Sequence, residues 1–270
     1  MIGIQPIIDI IALALQSVFI KSEENGVSLL LIGKPETAKT SSIFSFSNLN
    51  FVAYYDEITA KKLLDEFLPL VKNKEKRTLL IPDLINCIEK QRSTREQFLA
   101  LIKSGIDDVG IKAISTYHKQ LQFYKLIEGI KFNVITAITT DNFKKIKKYF
   151  RDTGLLSRFI PFSYDYSISL IKKVFDFLEG KKHISDVKFP KIKQKDIAIE
   201  DKPELFKEFE TISTKMSIEL SGYGFRLQKN LQRLAKANAI LNNRTEVTKE
   251  DIEKVIYLSN WINFEFRSLG

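Results

Sequence analysis

The chain has 270 residues, enough for one large α/β domain and a small second domain. Its 44% hydrophobic content is normal for a globular protein, and its net charge of +9 permits nucleic-acid binding without requiring it. Cys87 is the only cysteine, which excludes an intrachain disulfide and predicts a small core residue in a reducing cytoplasm. His118 and His183 stand far apart, so the sequence predicts no metal-ligand cluster.

The most apolar early stretch runs from Ile7 to Ile20. Asp9 and Gln16 interrupt it, no basic segment precedes it, and it is too short to span a membrane. Pro6 followed by apolar residues at helical spacing predicts a packed amphipathic helix. We therefore expect no membrane partner.

The next segment, residues 29–41, reads LLLIGKPETAKTS. An apolar strand leads into Gly33, and the spacing to Lys39 and Thr40 fits the P-loop pattern G-x-x-x-x-G-K-[ST] with alanine at the second glycine. Backbone N–H groups of such a loop hold phosphate oxygens, the lysine reaches the β- and γ-phosphates, and the threonine hydroxyl binds Mg²⁺. An ordinary strand–turn–helix with a chance lysine is the alternative. The residues predicted to bind ATP are Gly33, Glu36, Thr37, Ala38, Lys39, Thr40 and Ser41.

Strand and helix patterns alternate after this loop. Strands are predicted at Phe51–Tyr55, Thr78–Ile81 and Phe132–Thr139, and a helix with one apolar face at Thr59–Lys72. This alternation indicates a parallel α/β sheet with helices on both faces, in which ligands bind at the carboxyl ends of the strands.

Two acidic positions follow predicted strands. Asp83 follows the Thr78–Ile81 strand, which we expect beside the P-loop strand, and its carboxylate is predicted to hold Mg²⁺. Asp56 and Glu57 follow the preceding strand, but only one helix separates them from Lys39, so we give the metal role to Asp83. Leu84 follows Asp83 where many such ATPases carry a glutamate that polarises the attacking water, which argues against fast hydrolysis.

A basic and aromatic stretch, residues 118–125 (HKQLQFYK), lies between two glycine-bounded, strand-like arms. This pattern predicts a β-hairpin ahead of the Phe132 strand. Lys119, Phe123 and Lys125 are its candidate nucleic-acid contacts, since lysines bind phosphates and aromatic rings stack on bases. The alternative is a solvated hairpin whose aromatic residues pack on the body of the protein.

Four segments occur in a fixed order along the chain. They are the loop GKPETAKT, the insertion ahead of Phe132, the segment TGLLSRF with Arg158, and the segment FRLQKNLQRLAKA with Arg226. In this order they resemble AAA+ ATPases, most closely the minichromosome-maintenance-type (MCM-like) helicase clade, without that clade's N-terminal DNA-binding domain. Glu36 stands where the clade has glycine, and Thr139 where it has the sensor-1 asparagine.

The resemblance implies an AAA+ P-loop NTPase with a parallel sheet flanked by helices and a C-terminal α-helical lid. The expected division is a nucleotide-binding domain at residues 1–167, a linker at 168–200 and a lid at 201–270. Asp83, Thr139, Arg158 and Arg226 are the implied catalytic residues; Arg158 would act on the ATP of a neighbouring copy.

The implied cofactors are ATP and Mg²⁺, and the implied partners are further copies of the chain, as in a hexameric ring, and DNA. The expected function is ATP-driven DNA binding, unwinding or translocation in replication of a cellular or mobile genetic element. An ATP-binding switch or adaptor with weak hydrolysis, or a protein remodeller like the magnesium-chelatase and MoxR groups, remains the alternative.

Overall fold

The computed structural model describes residues 2–21, 25–112, 129–180, 187–200, 202–220 and 222–269. The tip of the predicted hairpin, with Lys119, Phe123 and Lys125, lies outside these residues. The strands are β1 (Ser28–Gly33), β2 (Val52–Tyr54), β3 (Thr78–Ile81), β4 (Asn133–Thr139), β5 (Phe159–Tyr166) and β6 (Arg267–Leu269). The helices are α1 (Gln5–Gln16), α2 (Lys39–Phe44), α3 (Ala60–Lys62), α4 (Leu68–Lys72), α5 (Ile85–Ile88), α6 (Arg92–Gly105), α7 (Thr140–Asp152), α8 (Ile168–Leu178), α9 (Phe209–Leu220), α10 (Phe225–Leu241) and α11 (Lys249–Ser259). Short 3₁₀ turns occupy Ser17–Phe19, Leu156–Arg158 and Pro203–Glu208, and a π-helical stretch, Leu63–Phe67, joins α3 to α4.

The six described strands form one parallel sheet in the order β2-β3-β4-β1-β5-β6. All six residues of β1 and six of the seven in β4 are buried, as expected for strands covered on both faces. The expectation that the Asp83 strand lies beside the P-loop strand is wrong, because β4 pairs with both β1 and β3 and separates them. The longer, almost wholly buried β4 takes the more enclosed position, and four-residue β3 lies further out.

Helix α1 is packed as predicted: ten of its twelve residues are buried, and it contacts both β1 and α10. The two residues that are not buried, Gln5 and Asp9, are four positions apart and lie on one face, which gives the helix a narrow polar side. None of the described helices is long and apolar enough to cross a membrane.

The C-terminal helices α9, α10 and α11 form a small helical unit. Helix α10 lies at its centre and contacts α9, α11 and α1. Helix α11 begins at the predicted cap, where the Thr248 backbone N–H donates to Asp251 at 2.8 Å and completes a capping box. The unit therefore docks on the sheet domain through α1.

The segment between the two units contains helix α8 and an extended stretch, residues 187–200. The extended stretch follows the body of the protein: Gln16 exchanges two hydrogen bonds with the backbone of Lys193, at 2.8 and 3.1 Å. Ile197 donates to the Phe19 carbonyl at 2.8 Å and accepts from Lys21 at 2.9 Å. These contacts fix residues 187–200 beside the amino-terminal part of the chain.

Candidate nucleotide-binding site and a distant arginine cluster

The loop after β1 leaves a run of backbone donors free. No described residue accepts a hydrogen bond of standard geometry from the backbone N–H groups of residues 36–41. Glu36 and Ala38 have left-handed φ angles of 63° and 59°. Successive N–H groups in alternating right- and left-handed conformations form a concave anion-binding nest. The loop therefore has the backbone geometry of a phosphate cradle.

Gly33 is required by the close packing at the start of this loop. A Cβ atom there would lie 2.9 Å from the Thr37 Oγ1 atom and 3.2 Å from the Tyr164 carbonyl oxygen. Thr37 is itself fixed, since its hydroxyl donates to the Lys34 carbonyl at 2.7 Å and its carbonyl accepts from the Tyr164 hydroxyl at 2.9 Å. These contacts hold the loop tightly against the end of β5.

Lys39 lies inside the loop and is 9% exposed. Its Nζ atom donates to the Gly33 carbonyl at 2.9 Å and to the Thr37 hydroxyl at 3.3 Å, and it also contacts the Lys34 carbonyl. Burial lowers the pKa of Lys39 to about 8, while the negative charge of Asp83 opposes this shift. The structure therefore brings the lysine and Asp83, far apart in sequence, into one site.

Asp83 lies just beyond the carboxyl end of β3, and its Oδ1 atom accepts from the Ile85 backbone N–H at 3.1 Å. Thr40 is exposed at the second position of α2. A carboxylate and a hydroxyl are oxygen ligands that suit Mg²⁺, which usually binds one or two carboxylates together with substrate phosphates. No group of three or more His, Cys, Asp or Glu side chains in the described residues could hold a metal alone. The residues thus fit an ion that arrives with a nucleotide.

The carboxylates after β2 are engaged elsewhere. Asp56 accepts from the Tyr54 hydroxyl at 2.8 Å, and Glu57 forms an ion pair with Lys90. Strand β2 is an outermost strand of the described sheet, three positions from β1. The residue directly after Asp83 is Leu84, which is apolar rather than acidic. Its side chain is buried, and its backbone N–H donates to the Ala137 carbonyl at 2.8 Å.

Thr139 pairs with Gly33 across the β4–β1 ladder and therefore lies beside the loop. Its hydroxyl accepts from the Asn142 backbone N–H at 3.4 Å and caps α7. A second brace comes from β5, where Asp165 forms an ion pair with Lys34. The motif pattern gave no signal for Tyr164 or Asp165, because both lie more than 120 residues from the loop.

The two predicted arginines, Arg158 and Arg226, lie at the amino-terminal ends of the strands, on the side of the sheet opposite the phosphate loop. Arg158 directly precedes β5, whose first residue pairs with Ser28 at the start of β1. Gly33 ends β1 five residues later, which corresponds to roughly 16 Å at the usual rise of a strand. We call the side of the sheet formed by the amino-terminal ends of the strands, where Arg158 and Arg226 lie, the arginine edge. The side formed by the carboxyl-terminal ends, where Gly33 lies, is the nucleotide edge.

Arg158 and Arg226 share one carboxylate, that of Asp107. The Nε and Nη2 atoms of Arg158 lie 2.7 and 2.5 Å from its Oδ2 atom, and Arg226 Nη2 lies 3.4 Å from the same oxygen. Arg158 also donates to the Gly154 carbonyl at 2.6 Å. Sequence reasoning missed Asp107, although its position beside the predicted hairpin arm offered a weak signal.

Asp108 adds a second layer to this arginine cluster. It contacts Lys229 at 3.0 Å and Arg233 at 3.1 Å. Burial raises the pKa of Asp108, but the hydrogen bonds from the two cations outweigh it and hold the pKa below its ordinary value. The loop that carries both aspartates is thereby fastened to α10.

Part of the chain matches a known protein family. Residues 214–259, from within α9 to the end of α11, match a family model described as the AAA lid domain. The fold is that of an AAA+ module. The parallel sheet with flanking helices and the helical lid confirm the predicted fold class, and the lid match supports an AAA+ ATPase without distinguishing a clade. No curated protein matches the chain.

Proposed function

We propose that this chain is an MCM-like AAA+ ATPase that binds Mg-ATP and couples it to DNA binding, translocation or unwinding in replication of a cellular or mobile genetic element. The observation that carries the nucleotide site is the run of free N–H groups at residues 36–41 around Lys39, with Asp83 close by. Lys39 would neutralise the β- and γ-phosphates, and Thr40 and Asp83 would hold Mg²⁺. When bound, Mg²⁺ would supply stabilisation of the negative charge on the transferred phosphoryl group, and the Lys39 amine would add a second positive charge beside it.

The position of the arginines supports catalysis between copies. Arg158 and Arg226 lie at the arginine edge, roughly 16 Å along β1 from the chain's own Gly33. A second copy docked by its arginine edge onto the nucleotide edge of the first would supply both cations. Such a head-to-tail contact is heterologous, so it closes into a ring when the rotation allows. A hexameric ring in the cytoplasm is the assembly we propose.

A basic cleft at the arginine edge supports DNA as the coupled partner. It has a volume of about 940 Å³ and is lined by seven lysine and arginine side chains against two aspartates. Asp108 and Asp196 are already paired, with Lys229 and Arg77 for example. Lys21, Lys74 and Lys112 line the cleft and form no ion pair with any described acid. Excess positive charge in one cleft favours a phosphate backbone.

This cleft adjoins the base of the predicted hairpin. Ile111 and Ile130 exchange two backbone hydrogen bonds, at 2.9 and 3.0 Å, in an antiparallel bridge. The proposed contacts Lys119, Phe123 and Lys125 lie between these two residues in the sequence. A strand of DNA held in the cleft would therefore lie beside Ile130, one of the two described residues that flank the proposed contacts in the sequence.

The ATPase rate, measured with and without single- and double-stranded DNA, tests the coupling. Replacing Lys21, Lys74 and Lys112 with alanine should weaken DNA binding and reduce the slope of log affinity against log salt by about one unit per lost phosphate contact. The matched control replaces Lys172, Lys173 and Lys249, exposed lysines outside the cleft, and removes the same charge. Equal losses in both variants would refute the cleft as a specific DNA site.

A second function is favoured by buried Leu84. Without a glutamate after Asp83, the chain would bind ATP and hydrolyse it slowly, as a switch, an adaptor or a remodeller of a protein partner. ATP binding that depends on Lys39, with slow turnover and no response to either form of DNA, would favour this second function. Undiminished ATP affinity in Lys39→Ala would refute the nucleotide site itself.

A further inference from the structure

Helix α8 carries an exposed apolar stripe. Ile168, Ile171, Phe175 and Leu178 follow the spacing i, i+3, i+7 and i+10, which places them on one face of the helix. Three of them are more than half exposed, at 75% for Ile168, 58% for Phe175 and 71% for Leu178. We call these four residues the α8 stripe. A contiguous apolar face of this size marks an interaction surface more often than a solvated one.

The described part of the chain leaves this helix weakly covered. Leu170 is its only buried residue, and it packs against Gly3, where an added Cβ atom would lie 2.3 Å from the leucine side chain. Helices in proteins are stabilised mainly by burying their apolar face against another element. The α8 stripe lies on a different face of the helix from Leu170, so only a surface other than the one that buries Leu170 can cover it.

The α8 stripe belongs to the nucleotide edge. Helix α8 begins directly after β5, and Ser167 caps it by accepting from the Leu170 N–H at 3.1 Å. The last residues of β5 are those that brace the phosphate loop, since Tyr164 pairs with Gly33 and Asp165 contacts Lys34. The stripe therefore begins beside the end of β5 that braces the phosphate loop.

A second exposed apolar patch lies at the arginine edge. Tyr223 and Phe225 are 84% and 74% exposed, and their rings stack with centroids 5.6 Å apart. Gly224 between them has a φ of +77° and packs so closely on α9 that a Cβ atom would lie 2.4 Å from the Ser213 carbonyl oxygen. The turn is thus held in place with both rings outward. Arg226 follows directly.

We propose that the α8 stripe of one copy packs on the Tyr223–Phe225 pair of the next copy, forming the apolar core of the head-to-tail contact. This inference rests on the proposed trans action of the arginines. A heterologous contact joins two different surfaces, and these two patches lie at the two edges that such a contact must bring together. Docking them seats Arg226 and Arg158 of one copy near the phosphate loop of the other.

The size of the patches fits the centre of an interface. Phenylalanine and tyrosine side chains bury about 150–250 Å² each, and exposed Phe175, Tyr223 and Phe225 account for most of the apolar area offered. A stable contact buries about 800 Å² per partner, so these residues would form its core while surrounding polar residues complete it. Clustered aromatic anchors are the usual source of interface affinity.

The test measures mass by sedimentation with a non-hydrolysable ATP analogue and Mg²⁺ present. Ile171→Glu with Phe175→Glu should weaken assembly at least about 30-fold, and so should Tyr223→Ala with Phe225→Ala, because each change removes interface anchors. The matched control Lys173→Glu puts the same carboxylate on the opposite face of α8 and should assemble like the wild type. Retained analogue binding and an unchanged thermal midpoint verify the fold.

Mixing the two defective variants gives the sharper result. Each retains one intact edge, so a head-to-tail contact predicts that the mixture forms dimers and nothing larger, while each variant alone stays monomeric. Dimers of the Tyr223→Ala/Phe225→Ala variant alone would overturn the proposal in favour of a symmetric α8–α8 contact. Normal assembly with a lowered thermal midpoint in the α8 variant would also overturn it, because the stripe would then be covered within its own chain.

The same experiment separates this inference from the proposed function. A wild-type protein that binds the analogue and stays monomeric at all concentrations would refute the trans arginines and the contact together. A wild-type assembly that survives both double substitutions would refute only the contact.

Discussion

Glu36 offers the most informative single substitution in the phosphate loop. It occupies a left-handed conformation, with φ at 63°, where the resemblance leads us to expect glycine. A non-glycine residue in this region costs about 1–2 kcal/mol, and glycine costs about 0.5–1 kcal/mol more unfolded-chain entropy. Glu36→Gly should therefore raise the free energy of unfolding by about 0–1 kcal/mol, which corresponds to about 0–4 °C in the thermal midpoint for a domain of this size.

The same substitution should increase ATP affinity. The Glu36 carboxylate is exposed at the rim of the cradle, and a unit charge at ~6 Å in water repels another by about 0.7 kcal/mol. A triphosphate carries several charges, so we expect nucleotide binding to become about 3- to 10-fold tighter in Glu36→Gly. Fluorescence titration with a labelled nucleotide measures this change.

Two further variants separate charge from backbone strain. Glu36→Gln removes the charge and keeps the Cβ atom, so it should gain affinity without gaining thermal stability. Glu36→Ala also keeps the Cβ atom and should behave like Glu36→Gln. Weaker nucleotide binding in all three variants would refute the reasoning, because Glu36 would then contribute to the site through its carboxylate.

The remaining predictions concern the residues around the phosphates. Asp83→Asn should reduce Mg-ATP hydrolysis by at least about 100-fold and leave nucleotide binding within about tenfold, whereas full activity in Asp83→Asn with loss in Glu57→Gln would move the metal role to the carboxylates after β2. Arg158→Ala should lower turnover by about 10³–10⁵-fold, and mixing it with Lys39→Ala subunits should restore activity at about a quarter of the sites; no recovery on mixing would count against trans action. Burial lowers the pKa of Lys39 to about 8, so in the nucleotide-free protein the Lys39 amine loses its proton as the pH rises through 8. ATP binding should therefore weaken above that pH, and at pH 8 it should take up about half a proton because the bound phosphates favour the charged amine. Calorimetry in two buffers of different ionisation enthalpy measures this uptake, and binding that is independent of pH would contradict the burial of the charged amine.

Local features of this protein follow from neighbouring residues, and the sequence alone determined them. The apolar run before Gly33, the spacing to Lys39 and the Thr248 cap each depend on residues within one strand or one helical turn. The fold class also follows, because alternating strands and helices permit few arrangements other than a parallel sheet. The predicted fold class is confirmed by the parallel sheet and by the lid match, and the predicted cap by the capping box of Thr248 and Asp251.

Only the tertiary structure decided what lies beside what. Strand β4 lies between β1 and β3, α1 is buried on both sides, and Tyr164 braces a loop 127 residues away through its hydrogen bond to Thr37. The meeting of Arg158 and Arg226 at Asp107, at the edge opposite Gly33, likewise depends on where the chain returns to the sheet. Hydrophobic periodicity predicts that a residue is buried, but it does not predict which surface buries it. In the same way, the position of a charged residue in the sequence does not predict which residue it pairs with. Those choices depend on the packing of the whole chain.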